Sequence, residues 1–185
     1  MRVVIVGAAG CGKTSLVRAI LGMRFIDAQE ATIGMCASQV PGMQEVEIWD
    51  TAGQERYAPL AELYWRDADI VIVAFDTLDE RSKRITHNYM TTLDEHKQAR
   101  KHRVLTLALW QTKSDIPANA YKDEFVKSYN FCIEHSAFTS AKQDPLHIRD
   151  MFTELVVHHR SKQPAKMASR VPNPEIAKNR CMPCV

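Results

Sequence analysis

No run of apolar residues in this 185-residue chain approaches the ~18 needed to cross a bilayer as a helix. Nothing ahead of Val3 has the form of a secretory leader, so a cytosolic protein is expected. A disulfide framework is equally unsupported, because the five cysteines (Cys11, Cys36, Cys132, Cys181, Cys184) are odd in number and scattered. Cys181 and Cys184 have C-x-x-C spacing, but no second pair completes a zinc site. Repeats and low-complexity segments are missing too. The stretch after His158 lacks glycine altogether and holds four of the eight prolines, with six basic residues against the single acid Glu175. The net charge of +2 therefore divides into about −3 for the body and +5 for the tail. A basic, proline-broken end reads as a flexible extension beyond a single core-forming domain.

What the chain does have is alternation of strand and helix signals. The solidly apolar runs "RVVIV", "DIVIVAF" and "RVLTLALW" suit strands of a parallel sheet covered on both faces. Helical patterns run from Lys13 to Gly22, from Glu80 to Lys101 and from Pro145 to Arg160. "SQVPGMQEVEIWD" reads as a hairpin turning at Pro41-Gly42. Together these predict a three-layer α/β domain with a mostly parallel sheet.

The strongest local signal is "GAAGCGKT", Gly7 to Thr14, which fits G-x-x-x-x-G-K-[ST] between a strand and a helix. Its glycines let backbone N–H groups and a helix N-terminus face an anion, here the phosphates of a nucleoside triphosphate. Lys13 supplies positive charge to the β- and γ-phosphates, and the Thr14 hydroxyl is placed to ligate Mg²⁺. Downstream, "EIWDTAGQE" ends a strand at Asp50, the Walker B position, suited to hold Mg²⁺ directly or through water. Gly53 follows, offering a backbone N–H to a γ-phosphate. Gln54 comes next, and a Gln there orients a water for in-line attack.

The P-loop, Thr32, Asp50-Thr51-Ala52-Gly53-Gln54, Thr112-Lys113-Ser114-Asp115 and Ser140-Ala141-Lys142 stand in the order found in Ras-superfamily small GTPases. The resemblance covers residues 2–160. It implies the small G-protein fold, with a six-stranded sheet, one antiparallel edge strand and helices on both faces. It also implies a G domain over residues 1–160 and a flexible basic tail over 161–185. The cofactors implied are GTP/GDP and Mg²⁺. Asp115 would accept N1–H and the N2 amino group of guanine, a contact adenine does not offer. Ala141 would give its N–H to O6, Lys113 would lie along the base, and Phe25 would pack its edge on it. Gly10, Cys11, Gly12, Lys13, Thr14, Ser15, Thr32, Gly53, Thr112, Ser140 and Lys142 complete the nucleotide site. Thr14, Thr32 and Asp50 are the metal ligands, and Lys13 and Gln54 the catalytic pair. Thr112 departs from the family's usual Asn, which ties the base loop to the P-loop; Rho-type members resemble this chain in carrying Thr.

"FIDAQEATIG", "EIWDTAGQERY", "LYWRDAD" and "TSAK" resemble Rab proteins, most of all the early-endosomal subgroup. Trp49 and Tyr64 occupy two positions of the aromatic triad that Rabs present to effectors; Ala37 replaces the third. The segment from Thr32 to Asp50 is shorter than in that subgroup. The resemblance implies a monomeric switch in vesicle trafficking, on the cytosolic face of an endomembrane, with an endosome favoured. Its partners would be exchange factors, an activating protein, effectors at switches I and II, and a dissociation inhibitor, with no nucleic acid. Slow hydrolysis is expected, since no cis arginine finger is evident and Ala9 stands beside the γ-phosphate position. Two competing readings are a P-loop kinase, for which no arginine-bearing lid is found, and a nucleotide-binding scaffold with an impaired cycle. Cys11 allows both a thiol of lowered pKa near a helix N-terminus and a small filler under the loop. In "CMPCV", Cys181 and Cys184 are candidate prenylation sites, although neither paired-cysteine spacing nor a C-a-a-X box is met.

Overall fold

The computed structural model describes residues 1–53, 63–76, 78–100, 104–116, 122–129 and 132–163. Six strands form one sheet: β1 (Arg2–Val6), β2 (Met35–Val40), β3 (Met43–Thr51), β4 (Ile70–Phe75), β5 (Thr106–Gln111) and β6 (His135–Phe138). Their order is β2-β3-β1-β4-β5-β6. Every pairing is parallel except β2 with β3, which makes β2 the antiparallel edge. That edge is the predicted hairpin: Val40 pairs with Met43 across Pro41-Gly42, and Gly42 takes a φ of 82° that favours glycine.

The central strands β4 and β5 are buried at every position because both faces are covered. Alternate side chains leave to opposite sides. Val3, Ile5, Ile72 and Trp110 pack beneath α1 (Lys13–Ile20) and α4 (Pro145–Ser161), meeting Leu16, Ile20, Phe152 and Leu155. Val4, Val6, Val73 and Leu109 pack on the other side with Met90 and Leu93 of α2 (Glu80–Ala99). Val126 of the short α3 (Lys122–Lys127) joins this second core. Asp79 caps α2, accepting from Arg81 N at 2.9 Å, and Asp144 caps α4, accepting from His147 N at 3.1 Å.

The three-layer architecture and the six-stranded mixed sheet are those expected. The sequence pattern does not mark β6 or α3 individually. β6 is a four-residue strand, "HSAF", specified by its parallel register with Ala108–Gln111 more than by its own propensity. α1 stops at Ile20, two residues short of the predicted end, and Gly22 follows at a φ of 74°.

Candidate functional site

The loops after β1, β3, β5 and β6 leave the C-terminal ends of the parallel strands, where α/β sheets place their crevices, and the segment before β2 brings Thr32 to the same end. They surround a cleft of about 540 Å³. The P-loop supplies Gly10, Gly12, Lys13, Thr14 and Ser15 to its wall. Gly10 and Gly12 sit at φ 73° and 96°, left-handed conformations that only glycine adopts without cost. Lys13 is nearly buried, and its Nζ donates to the carbonyls of Gly7 at 3.0 Å and Ala8 at 2.7 Å. Gly53 lies close against the same loop: a Cβ there would stand 2.6 Å from both Cα and N of Ala9.

Thr14, Thr32 and Asp50 converge on one point. Thr14 Oγ1 donates to Asp50 Oδ2 at 2.8 Å and lies 2.9 Å from Thr32 Oγ1, which donates to the same carboxylate oxygen at 3.2 Å. Asp50 is buried, and burial pushes its carboxyl up against the opposing pull of both threonine hydroxyls and Lys13. Its other oxygen, Oδ1, is buried with no hydrogen-bond partner among the described residues. An orphaned carboxylate oxygen beside two hydroxyls is a hard donor set, and Mg²⁺ fits it.

The far end of the cleft is built from β5 and β6. Asp115 Oδ1 accepts from Ser140 Oγ at 2.7 Å, and that hydroxyl accepts from Gln143 N at 3.1 Å. Thr112 Oγ1 reaches the carbonyl of Cys11 and, at 3.0 Å, that of Phe75, so the base loop is tied to both the P-loop and β4. Lys113 lines the cleft at a φ of 54°, the only positive value for a non-glycine among the described residues. An αL lysine costs roughly 1–2 kcal/mol, which the surrounding contacts must offset. Ala141 and Lys142 close the wall beside Phe25; Lys142 Nζ lies 6.0 Å above the Phe25 ring and 3.3 Å from Asp27.

Two of the expected nucleotide residues stand behind the wall. Ser140 touches the cleft wall through its hydrogen bond to Asp115. The Cys11 side chain is buried, with its thiol donating to Ala74 O at 3.3 Å, and burial pushes the thiol up against the opposing Lys13 charge. That is a filler's environment, opposite to the one that activates a thiol. Gln54, Cys181 and Cys184 lie outside the described residues. Asp76 belongs to no motif; its signal is that it directly follows β4, at the same end of the sheet as Asp50 near the end of β3.

On the outer face of the hairpin, Ala37 pairs with Trp49, and the Trp49 and Tyr64 rings stand 6.2 Å apart. Arg2 covers the Trp49 ring at 4.0 Å from its centroid. No described helix is long and apolar enough to cross a membrane.

A family model described as "Ras family" matches residues 2–160. The chain is 34% identical over 173 residues to the Ras-related protein RABF2a of Arabidopsis thaliana, covering 89% of this chain and 84% of that one. It is 33% identical to the Ras-related protein Rab5A of rice (Oryza sativa subsp. japonica), covering 83% and 77%. The Ras-related protein Rab-5A of Dictyostelium discoideum is also 33% identical, with coverage of 83% and 78%.

Proposed function

Since the chain belongs to the Ras family of small GTPases, with Rab5-type relatives along most of its length, we propose that its cleft binds GTP or GDP with Mg²⁺ and switches partner binding in vesicle trafficking. The observation that carries this reading is the convergence of Thr14 and Thr32 on the buried carboxylate of Asp50. Thr14 comes from the P-loop and Thr32 from the segment before the hairpin, so a γ-phosphate and its metal would hold that segment in place. Loss of the γ-phosphate would release Thr32 and Gly53, and both loops would relax.

Thr14, Thr32 and Asp50 would hold Mg²⁺, which when bound neutralises charge on the β- and γ-phosphates. Lys13, fixed by two loop carbonyls, brings its charge to the same place. Asp115, oriented by Ser140, selects guanine, and the Ala141 N–H supports O6. Gln54 orients the attacking water, and an activating protein supplies the missing arginine. Residues 1–160 form the nucleotide domain and 161–185 the basic tail. Lipids on Cys181 and Cys184 would anchor that tail to the cytosolic face of an endosomal membrane, where a dissociation inhibitor could retrieve it. Exchange factors and effectors would meet the face carrying Ala37, Trp49 and Tyr64.

Denaturing the purified protein and chromatographing the released nucleotide tests the reading. GDP or GTP is expected, displaced by guanine but not adenine nucleotides; ATP or nothing would overturn it. Single-turnover GTP hydrolysis should fall at least tenfold in Gln54→Leu, and an unchanged rate would remove Gln54 from the mechanism. Intact mass from a eukaryotic host reports the number of lipids.

A further inference from the structure

Asp76 closes β4 and is nearly buried, yet it does not line the cleft. Its Oδ2 pairs with Lys113 Nζ at 2.9 Å, and its Oδ1 accepts from the backbone N–H of Leu78 at 3.0 Å. Its own N–H donates to the buried hydroxyl of Ser82 at 3.0 Å, near the start of α2. The aspartate is thus fixed on two sides before it meets the lysine. Lys113 is the opposite case: its side chain is 40% exposed and its backbone sits at a φ of 54°. A long flexible stem on a strained backbone keeps one direction only if something holds its end.

We propose that Asp76 is a positioning residue for guanine recognition, acting through Lys113 and never touching the nucleotide. The carboxylate holds the ammonium so that the lysine stem stays along the cleft wall where the base lies. This rests on the guanine-nucleotide reading of the cleft. The rival role for Asp76 is to anchor the beginning of α2 through Ser82, and the two roles predict different couplings.

The experiment measures release of a fluorescent GDP from the full chain in a double-mutant cycle. Asp76→Asn should speed release about tenfold with Lys113 present and less than twofold in a Lys113→Met background. Ser82→Ala, which removes the hydroxyl that links Asp76 to α2 and leaves the carboxylate–lysine pair, should leave release within twofold of wild type. Equal acceleration by Asp76→Asn in both backgrounds overturns the proposal, as does acceleration by Ser82→Ala matching that of Asp76→Asn. If Asp76→Asn changes nothing, the proposal also fails. A wild type that does not bind GDP overturns both this inference and the reading beneath it, whereas tight binding with an additive cycle overturns this inference alone.

Discussion

The hydroxyl of Thr112 reaches the carbonyl oxygen of Cys11, 101 positions earlier in the chain, and so joins the base loop to the P-loop. The Phe75 carbonyl lies 3.0 Å from the same hydroxyl and already accepts from Thr112 N at 2.8 Å. A hydroxyl has a single proton to give, whereas the amide of an asparagine has two. Thr112→Ala should therefore loosen the junction by about 1 kcal/mol and speed GDP release roughly fivefold. Thr112→Asn should release GDP no faster than wild type. Chase of a bound fluorescent GDP checks both, and faster release from the asparagine variant would show that the threonine does more than tie the loops.

Asp50 has the signature of a group waiting for a cation. Burial raises its folded pKa above the ordinary 3.8. As pH climbs through the window between those values, the unfolded chain gives up a proton that the fold retains, so the metal-free fold loses stability. Asp50→Asn removes that loss. In EDTA the variant should melt at or above the wild-type temperature at pH 7. With GDP present, adding Mg²⁺ should raise the wild-type midpoint and leave that of Asp50→Asn unmoved. A variant that still responds to Mg²⁺ would place the metal elsewhere.

Glu134 joins three elements at the opposite end of the sheet. Lys97 Nζ from α2 and Lys162 Nζ just past α4 each lie 2.5 Å from its carboxylate, and the side chain is only 14% exposed. Burial pushes the carboxyl up, but the bonds and charges of the two lysines outweigh it and hold the group below its usual value of 4.5. That stabilisation is fully present above the unfolded pKa and is lost as pH falls through the folded one. Glu134→Gln should cost about 1–2 kcal/mol at pH 7, between an exposed and a buried pair. The gap from wild type should shrink toward pH 3 in thermal melts.

Much of this site could be read from the chain because each residue type has a local physical task. Glycines at 10 and 12 answer a backbone need, and Pro41-Gly42 marks a turn whatever surrounds it. Asp50 stands at a strand end, so its placement over the P-loop follows from β1 pairing parallel with β3. β6 was harder, since four residues without a β-branched side chain owe their pairing to Trp110 and its neighbours. Periodicity also cannot say which way Cys11 faces, because loop residues follow no period. Asp76 and Lys113 meet only after two neighbouring strands are in register. Contacts between loop side chains are written in the fold, not in either segment alone.

Gly53 tests the switch most directly. A methyl group there would overlap both Lys13 Nζ and the backbone of Ala9. The lysine amine would have to give up its bonds to the Gly7 and Ala8 carbonyls, and Cα and N of Ala9 belong to a loop shaped by Gly7, Gly10 and Gly12 and cannot yield cheaply. Gly53→Ala must therefore push the segment after Asp50 away from the P-loop. A GDP state that does not need this approach should tolerate the change, while a GTP state that does should not. The expected loss is about tenfold in affinity for a non-hydrolysable GTP analogue, ~1.4 kcal/mol, with GDP affinity changed less than about threefold. Paired fluorescence titrations read the difference. Equal losses for both nucleotides would mean that Gly53 shapes the cleft in general and does not sense the γ-phosphate.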